Sequence, residues 1–185
     1  MHISKYLNGF DMKFIIQNNN INLTTLFYFD IMNMLYTVNS ADIIDNVQMT
    51  VNNPVEMRNG PGTANIQFLF HHLFKDCGVP RYYLNLDTRL DTTGTTLCYI
   101  STIRNDLPPC ASTQTMNTSV LSKSKPMPIA KMDIYIEFLD VSTGSVLISF
   151  LFDPEHPPRP HQEKMVITVF KKMFSRLKEF IEKME

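Results

Sequence analysis

Met132-Asp133-Ile134-Tyr135-Ile136-Glu137-Phe138 and, after Ser142-Thr143-Gly144, Val146-Leu147-Ile148-Ser149-Phe150-Leu151-Phe152 form the stretch that decides the fold class. Ile134, Ile136 and Phe138 alternate with Asp133, Tyr135 and Glu137, and Val146, Ile148, Phe150 and Phe152 continue at every second position. Successive side chains of a strand point to opposite sides, so a period of two gathers the apolar set on one face. Residues 132–152 read as an antiparallel hairpin with one buried face.

A buried sheet face needs a cover. Downstream, Pro154 to Pro160 is a proline-dense loop, and from about residue 162 the period becomes helical. Met165, Val166, Val169, Phe170, Met173, Phe174, Leu177, Phe180, Ile181 and Met184 cover close to half of that helix's circumference. This is wider than the stripe one sheet face requires. The surplus fits either core under a large sheet or a docking surface, and Phe180, Ile181 and Met184 are the candidate contact residues. Pro157, Pro158, Arg159 and Pro160 form a second candidate, an extended segment of the kind that groove-bearing partners bind.

Upstream, Met12 to Gln17 reads as a strand. Residues 25–38 are almost continuously apolar, and their aromatic and β-branched content reads as a buried strand, although the length also suits a helix. Residues 43–51, 81–86 and 96–103 read as further strands, the last two joined through Thr92-Thr93-Gly94. Residues 63–77 read as a helix, because Ile66, Leu69, Phe70, Leu73, Phe74 and Cys77 fall at helical spacing and Gly78 and Pro80 supply a stop. Val166, Val169, Phe170, Met173, Phe174 and Leu177 repeat that pattern at an offset of 100, and Pro154 echoes Pro54. Residues 43–77 and 143–177 thus read as two copies of a strand–loop–helix unit; any two amphipathic helices share the same period, so unrelated units remain the alternative.

The expected architecture is α+β: an antiparallel sheet with amphipathic helices packed on one face. The 185 residues suit one domain, 1–185, with a mobile polar loop at about 108–128 where Ser and Thr dominate. Hydrophobic residues make up 44% of the chain and charged residues 19%, at a net charge of −1. That balance supplies a core and lacks the positive field of a broad nucleic-acid or membrane surface. Three cysteines without a C-x-x-C pair argue against a disulfide framework. The first residues do not read as a secretory signal and no apolar run reaches a membrane span, so the expected location is cytoplasmic or nuclear. The bias toward Asn, Ile, Met and Lys suggests an AT-rich, viral or parasitic source.

Candidate chemistry is sparse. Asn59-Gly60-Pro61-Gly62-Thr63 could present backbone N–H groups to an anion, yet it lacks a phosphate-loop pattern and Pro61 removes a donor. Cys77 lies near His71 and His72, but offsets of five and six do not share a helix face, and Cys77 reads as a buried structural thiol. Cys110 reads as exposed. Asp153, Glu155, His156, His161 and Glu163 cluster in sequence around prolines that hinder convergence on a metal. No cofactor and no metal site is expected.

Two function classes follow. The first is a non-enzymatic binding or assembly protein, a homodimer or a subunit of a larger complex, using its Met-rich apolar surface (12 methionines, no tryptophan). The second is a nucleic-acid binder. The duplicated order of strands, turn, strand and long helix resembles the saddle of TATA-binding proteins, with Asp140 to Phe152 the nearest stretch, and that resemblance implies a nucleic-acid partner. The near-neutral charge counts against it. An enzyme comes third.

Overall fold

A computed structural model describes residues 1–6, 9–28, 30–52, 62–111, 124–140 and 144–185. The 132–152 reading holds. Strands β8 (Ile129–Asp140) and β9 (Ser145–Pro154) pair antiparallel, with Ile134 opposite Phe150 and Ile136 opposite Ile148. Ser142 and Thr143 lie outside the described residues. Around this hairpin stand β1 (His2–Tyr6), β2 (Gly9–Gln17), β3 (Ile44–Val51), β4 (Gly62–Phe70), β5 (Tyr82–Thr93), β6 (Thr96–Ile103) and the short β7 (Lys125–Pro126). They form one sheet in the order β1-β2-β9-β8-β6-β5-β4-β3, antiparallel throughout, with β7 added parallel to β5.

Among the described residues three helices complete the fold: α1 (Leu23–Leu26), α2 (Asp30–Asn39) and α3 (Pro160–Glu182). α3 packs on β2 near one edge of the sheet, α2 packs on β3 at the other edge, and α2 packs on α3. Both edges therefore meet one helical layer, which requires the sheet to curve around it. The concave face carries the alternating apolar set: Phe10, Met12, Phe14 and Ile16 of β2, Val146, Ile148, Phe150 and Phe152 of β9, and Leu84, Leu86 and Leu90 of β5 are all buried. This is the α+β arrangement expected, a large antiparallel sheet with helices on one face.

Several local readings are corrected. Residues 63–77 are not a helix. Residues 62–70 are strand β4, with Ala64, Ile66, Phe68 and Phe70 facing the core, and only a 3-10 turn at Lys75–Cys77 follows. The strand–loop–helix duplication falls with that helix, since the first unit continues into a strand where the second continues into α3. Residues 25–26 and 30–38 are helical rather than a strand: Ile31, Met32, Leu35 and Asn39 are buried at helical spacing. Asn22 caps α1, its Oδ1 accepting from the Thr24 N–H at 3.0 Å. Cys77 is exposed on its turn, and Cys110 is buried.

Cys110 is buried because residues 104–111 cross the convex face. Asn85 Nδ2 donates to the carbonyls of Leu107 (2.9 Å) and Pro108 (3.1 Å), and Asn46 Nδ2 donates to that of Ala111 (2.6 Å). Beneath them Leu69, Tyr83 and Cys110 form a second apolar cluster. Burial pushes the Cys110 thiol pKa up to about 11, so it is inert as a nucleophile at neutral pH. Residues 112–123, the centre of the polar stretch, lie outside the described residues.

Candidate functional site

The two halves of α3 meet the sheet differently. In the C-terminal half, Met173, Phe174, Leu177 and Ile181 are buried, and Phe174 packs against Phe14 and Phe150 at ring centroid distances of 5.7 and 4.9 Å. Polar ties lock this half in place. Asn18 Nδ2 donates to the carbonyls of Ile181 (2.6 Å) and Met184 (2.8 Å), Lys178 Nζ donates to that of Ile15 (2.6 Å), and Arg176 and Lys172 pair with Asp42.

In the N-terminal half, Met165, Val166, Val169 and Phe170 are only partly covered. Between them and the sheet lies a cavity of about 280 Å³. Its other walls come from one end of the sheet. β2 contributes its early residue Phe10, β5 its first residue Tyr82, and β4 and β9 their ends, Phe70 and the pair Phe152 and Pro154. Loop residues at that same end, His71, Leu73, Phe74, Val79, Pro80, Met127, Pro128 and His156 to Pro158, close the ring. The Phe170 ring stands 4.9 Å from that of Phe152, edge to face, and 5.1 Å from that of Phe150, tilted, which makes an aromatic floor.

The lining is overwhelmingly apolar, and its polar side chains are His71, Tyr82, His156 and Gln162. His71 Nε2 lies 2.9 Å from the Ser40 carbonyl. Gln162 Oε1 accepts from the Arg159 N–H at 3.1 Å, closing the first turn of α3. Burial raises the Tyr82 phenol pKa, so the hydroxyl stays neutral.

The residues singled out from sequence separate. Pro157 and Pro158 line the cavity mouth, Arg159 caps α3 and Pro160 is its first residue. Phe180 is 39% exposed at the far end of the helix, about 30 Å away at 1.5 Å per residue. Ile181 is fully buried, and Met184 is half-buried. Asp153, Glu155, His156, His161 and Glu163 are not brought together. Glu155 accepts from Asn105 Nδ2, Glu163 pairs with Lys5, and among the described residues no three metal-ligating side chains converge. Of the Asn59–Thr63 loop, residues 59–61 lie outside the described residues, and Gly62 and Thr63 belong to β4. No helix among the described residues is long and apolar enough to cross a membrane.

No family model matches the sequence, and no curated protein matches it. Solved structures do. The chain is similar to human STARD10 at a TM-score of 0.54 and 10% identity over 91% of this chain, spanning 63% of that one. Looser likenesses are Ara h 8.0201 (TM-score 0.42, 10% identity, 92% of this chain and 97% of that) and the Zhui aromatase/cyclase from Streptomyces sp. R1128 (0.45, 9%, 98% and 94%).

These findings correct the functional reading. The apolar surplus on the last helix, read as either core or docking surface, faces a cavity at Met165, Val166, Val169 and Phe170, while the docking candidates Phe180, Ile181 and Met184 lie outside that cavity. The sheet is one curved layer similar to that of human STARD10, and the duplicated saddle that suggested nucleic acid is absent. Both the assembly reading and the nucleic-acid reading are set aside. The walls that sequence reasoning missed are Phe10, Phe70, Tyr82, Met127 and Pro128. Phe70 had been placed in a helix, Tyr82 in a strand and Met127 and Pro128 in a polar loop, and nothing in a linear pattern marks which apolar side chains leave a gap between them.

Proposed function

We propose that this protein binds a small apolar molecule in the cavity under the first half of α3. The observation that carries the reading is the cavity itself. Protein interiors pack to crystal-like density and rarely leave voids larger than a water. A space of about 280 Å³ walled by Phe, Met, Val and Pro sits at the lower end of pockets that take small organic ligands. The walls that the described residues supply are chiefly Phe, Met, Val and Pro, which suits binding and sequestration of a molecule from water.

The experiment is a fluorescence titration with N-phenyl-1-naphthylamine, a neutral apolar probe. We expect saturable binding at one site per chain, alongside a cooperative thermal transition that separates a cavity from a loosened core. Val169→Trp and Met165→Trp each place an indole in the cavity and should weaken the probe by tenfold or more while the melting transition persists. Absence of saturable binding, or full affinity in both variants, overturns the reading.

A further inference from the structure

Resting on that reading, the polar minority of the lining narrows the class of ligand. None of the lining residues is Lys, Arg, Asp or Glu. An ionised group drawn against such walls loses its hydration and meets no carboxylate, ammonium or guanidinium in exchange. A ligand's buried portion is therefore uncharged.

Of the four polar side chains in the lining, His156 and Gln162 come from the α3 side, and Tyr82 and His71 stand together at the ends of neighbouring strands. The position of Tyr82 follows from register. Leu69 pairs with Tyr83, so the next position sets Tyr82 opposite Phe70, and opposed residues share a face. Phe70 faces the core and lines the cavity, and Tyr82 lines it beside Phe70. On its other flank Tyr82 pairs with Lys125 of β7. The Lys125 N–H donates to the Arg81 carbonyl at 2.9 Å and the Met127 N–H to the Tyr83 carbonyl at 2.8 Å. The phenol is thus mounted on a backbone held from both sides. Among the described residues its hydroxyl has no hydrogen-bond partner.

His71 directly follows Phe70 at the same end of the neighbouring strand. A carbonyl only accepts, so the contact with Ser40 puts the ring proton on Nε2 and leaves Nδ1 of the neutral imidazole as an acceptor. The sheet side of the wall, at the ends of β4 and β5, therefore offers one hydroxyl that donates or accepts and one nitrogen that accepts. A ketone or ether complements the first and not the second. A carboxylate or an ammonium brings a charge. A hydroxyl complements both.

We infer that the ligand is an uncharged alcohol or phenol with an apolar body, its hydroxyl donating to His71 Nδ1 and accepting from the Tyr82 hydroxyl. The test is competition against N-phenyl-1-naphthylamine by 1-decanol, decanoate and decylammonium, which share a chain and differ in head group. Decanol should displace the probe at concentrations at least tenfold lower than either charged analogue. In Tyr82→Phe, which keeps the ring, the affinity for decanol relative to the probe should fall about tenfold, the worth of one uncharged hydrogen bond. Decanoate binding as well as decanol, or a relative affinity unchanged in Tyr82→Phe, overturns the inference and leaves the cavity reading standing. A protein that binds neither probe nor decanol removes both.

Discussion

The two halves of α3 carry similar apolar content and meet opposite fates. Residues 173–181 are pressed onto β2 and β9 and tied down by Asn18, Asp42 and the Ile15 carbonyl. Residues 165–170 are held chiefly by the Phe170 ring and the cap at Arg159, and a cavity separates them from the sheet. One half is devoted to stability and the other is left underpacked. The difference shows that an apolar stripe broader than its sheet requires need not seek a partner chain; it can wall a space.

The sharpest way to break the comparison is to cut the seated half. Ile181 is fully buried, and Ile181→Ala removes its side chain from a site that cannot refill. The expected loss is about 3 kcal/mol, on the order of 10 °C in melting temperature. Urea unfolding measures it. A loss under about 1 kcal/mol would mean that this end of α3 is not seated on the sheet.

The sequence made the β8–β9 hairpin legible because one of its faces is apolar at every position from Ile134 to Phe138 and from Val146 to Phe152, while the other mixes polar and apolar residues. Ile134, Ile136, Val146, Ile148 and Phe150 lie under the helices, while Tyr135, Glu137 and Ser149 point away. The same logic fails at β4. Leu69 sits on the convex face and is fully buried under residues 104–111, beside Tyr83 and Cys110. Ala64, Ile66, Phe68 and Phe70 alternate with Thr63, Asn65 and Gln67 until Leu69, buried on the second face, interrupts the period, and Ile66, Leu69 and Phe70 then mimic helical spacing. The 25–38 segment fails for the converse reason. Its Phe, Tyr and Ile content favours strands on propensity alone, while packing of Ile31, Met32 and Leu35 against the core decides for helix. The cavity was beyond reach because it joins Phe10, Phe70, Tyr82 and Phe170, whose proximity exists only once the sheet has curved.

An electrostatic tie offers a smaller and pH-dependent test of the seated half. Asp42, in the turn after α2, pairs with Arg176 and Lys172 of α3. The Arg176 hydrogen bond above all holds its carboxyl pKa at about 2, below the usual 3.8. A depressed folded-state pKa adds stability that is fully present above the ordinary value and disappears as pH falls through the folded one. The side chain is 38% exposed, so solvent screening limits its worth to about 1 kcal/mol. Asp42→Asn should therefore destabilise by that amount at pH 7, with the gap to the parent protein closing between about pH 4 and pH 2. A gap that persists unchanged at pH 2 would show that the pair contributes through packing and not through charge.

The smallest expected effect tests the underpacked half. Val166 faces the cavity from the N-terminal part of α3 and is only partly covered. A core valine or isoleucine loses stability on truncation through both lost burial and the new void it leaves. At Val166 the void already exists, so Val166→Ala only enlarges it, and the lost transfer from water is that of a partly covered side chain. The expected cost is under about 1 kcal/mol, several-fold less than for Ile181→Ala on the same helix. In exchange, an enlarged cavity should admit longer alcohols than the parent protein does, moving the optimum of a chain-length series upward against N-phenyl-1-naphthylamine. A stability loss comparable to that of Ile181→Ala would mean that Val166 is packed as tightly as the seated half. An unchanged chain-length optimum would mean that it does not border the space the ligand fills. Either result would erase the contrast between the two ends of α3 on which the binding reading stands.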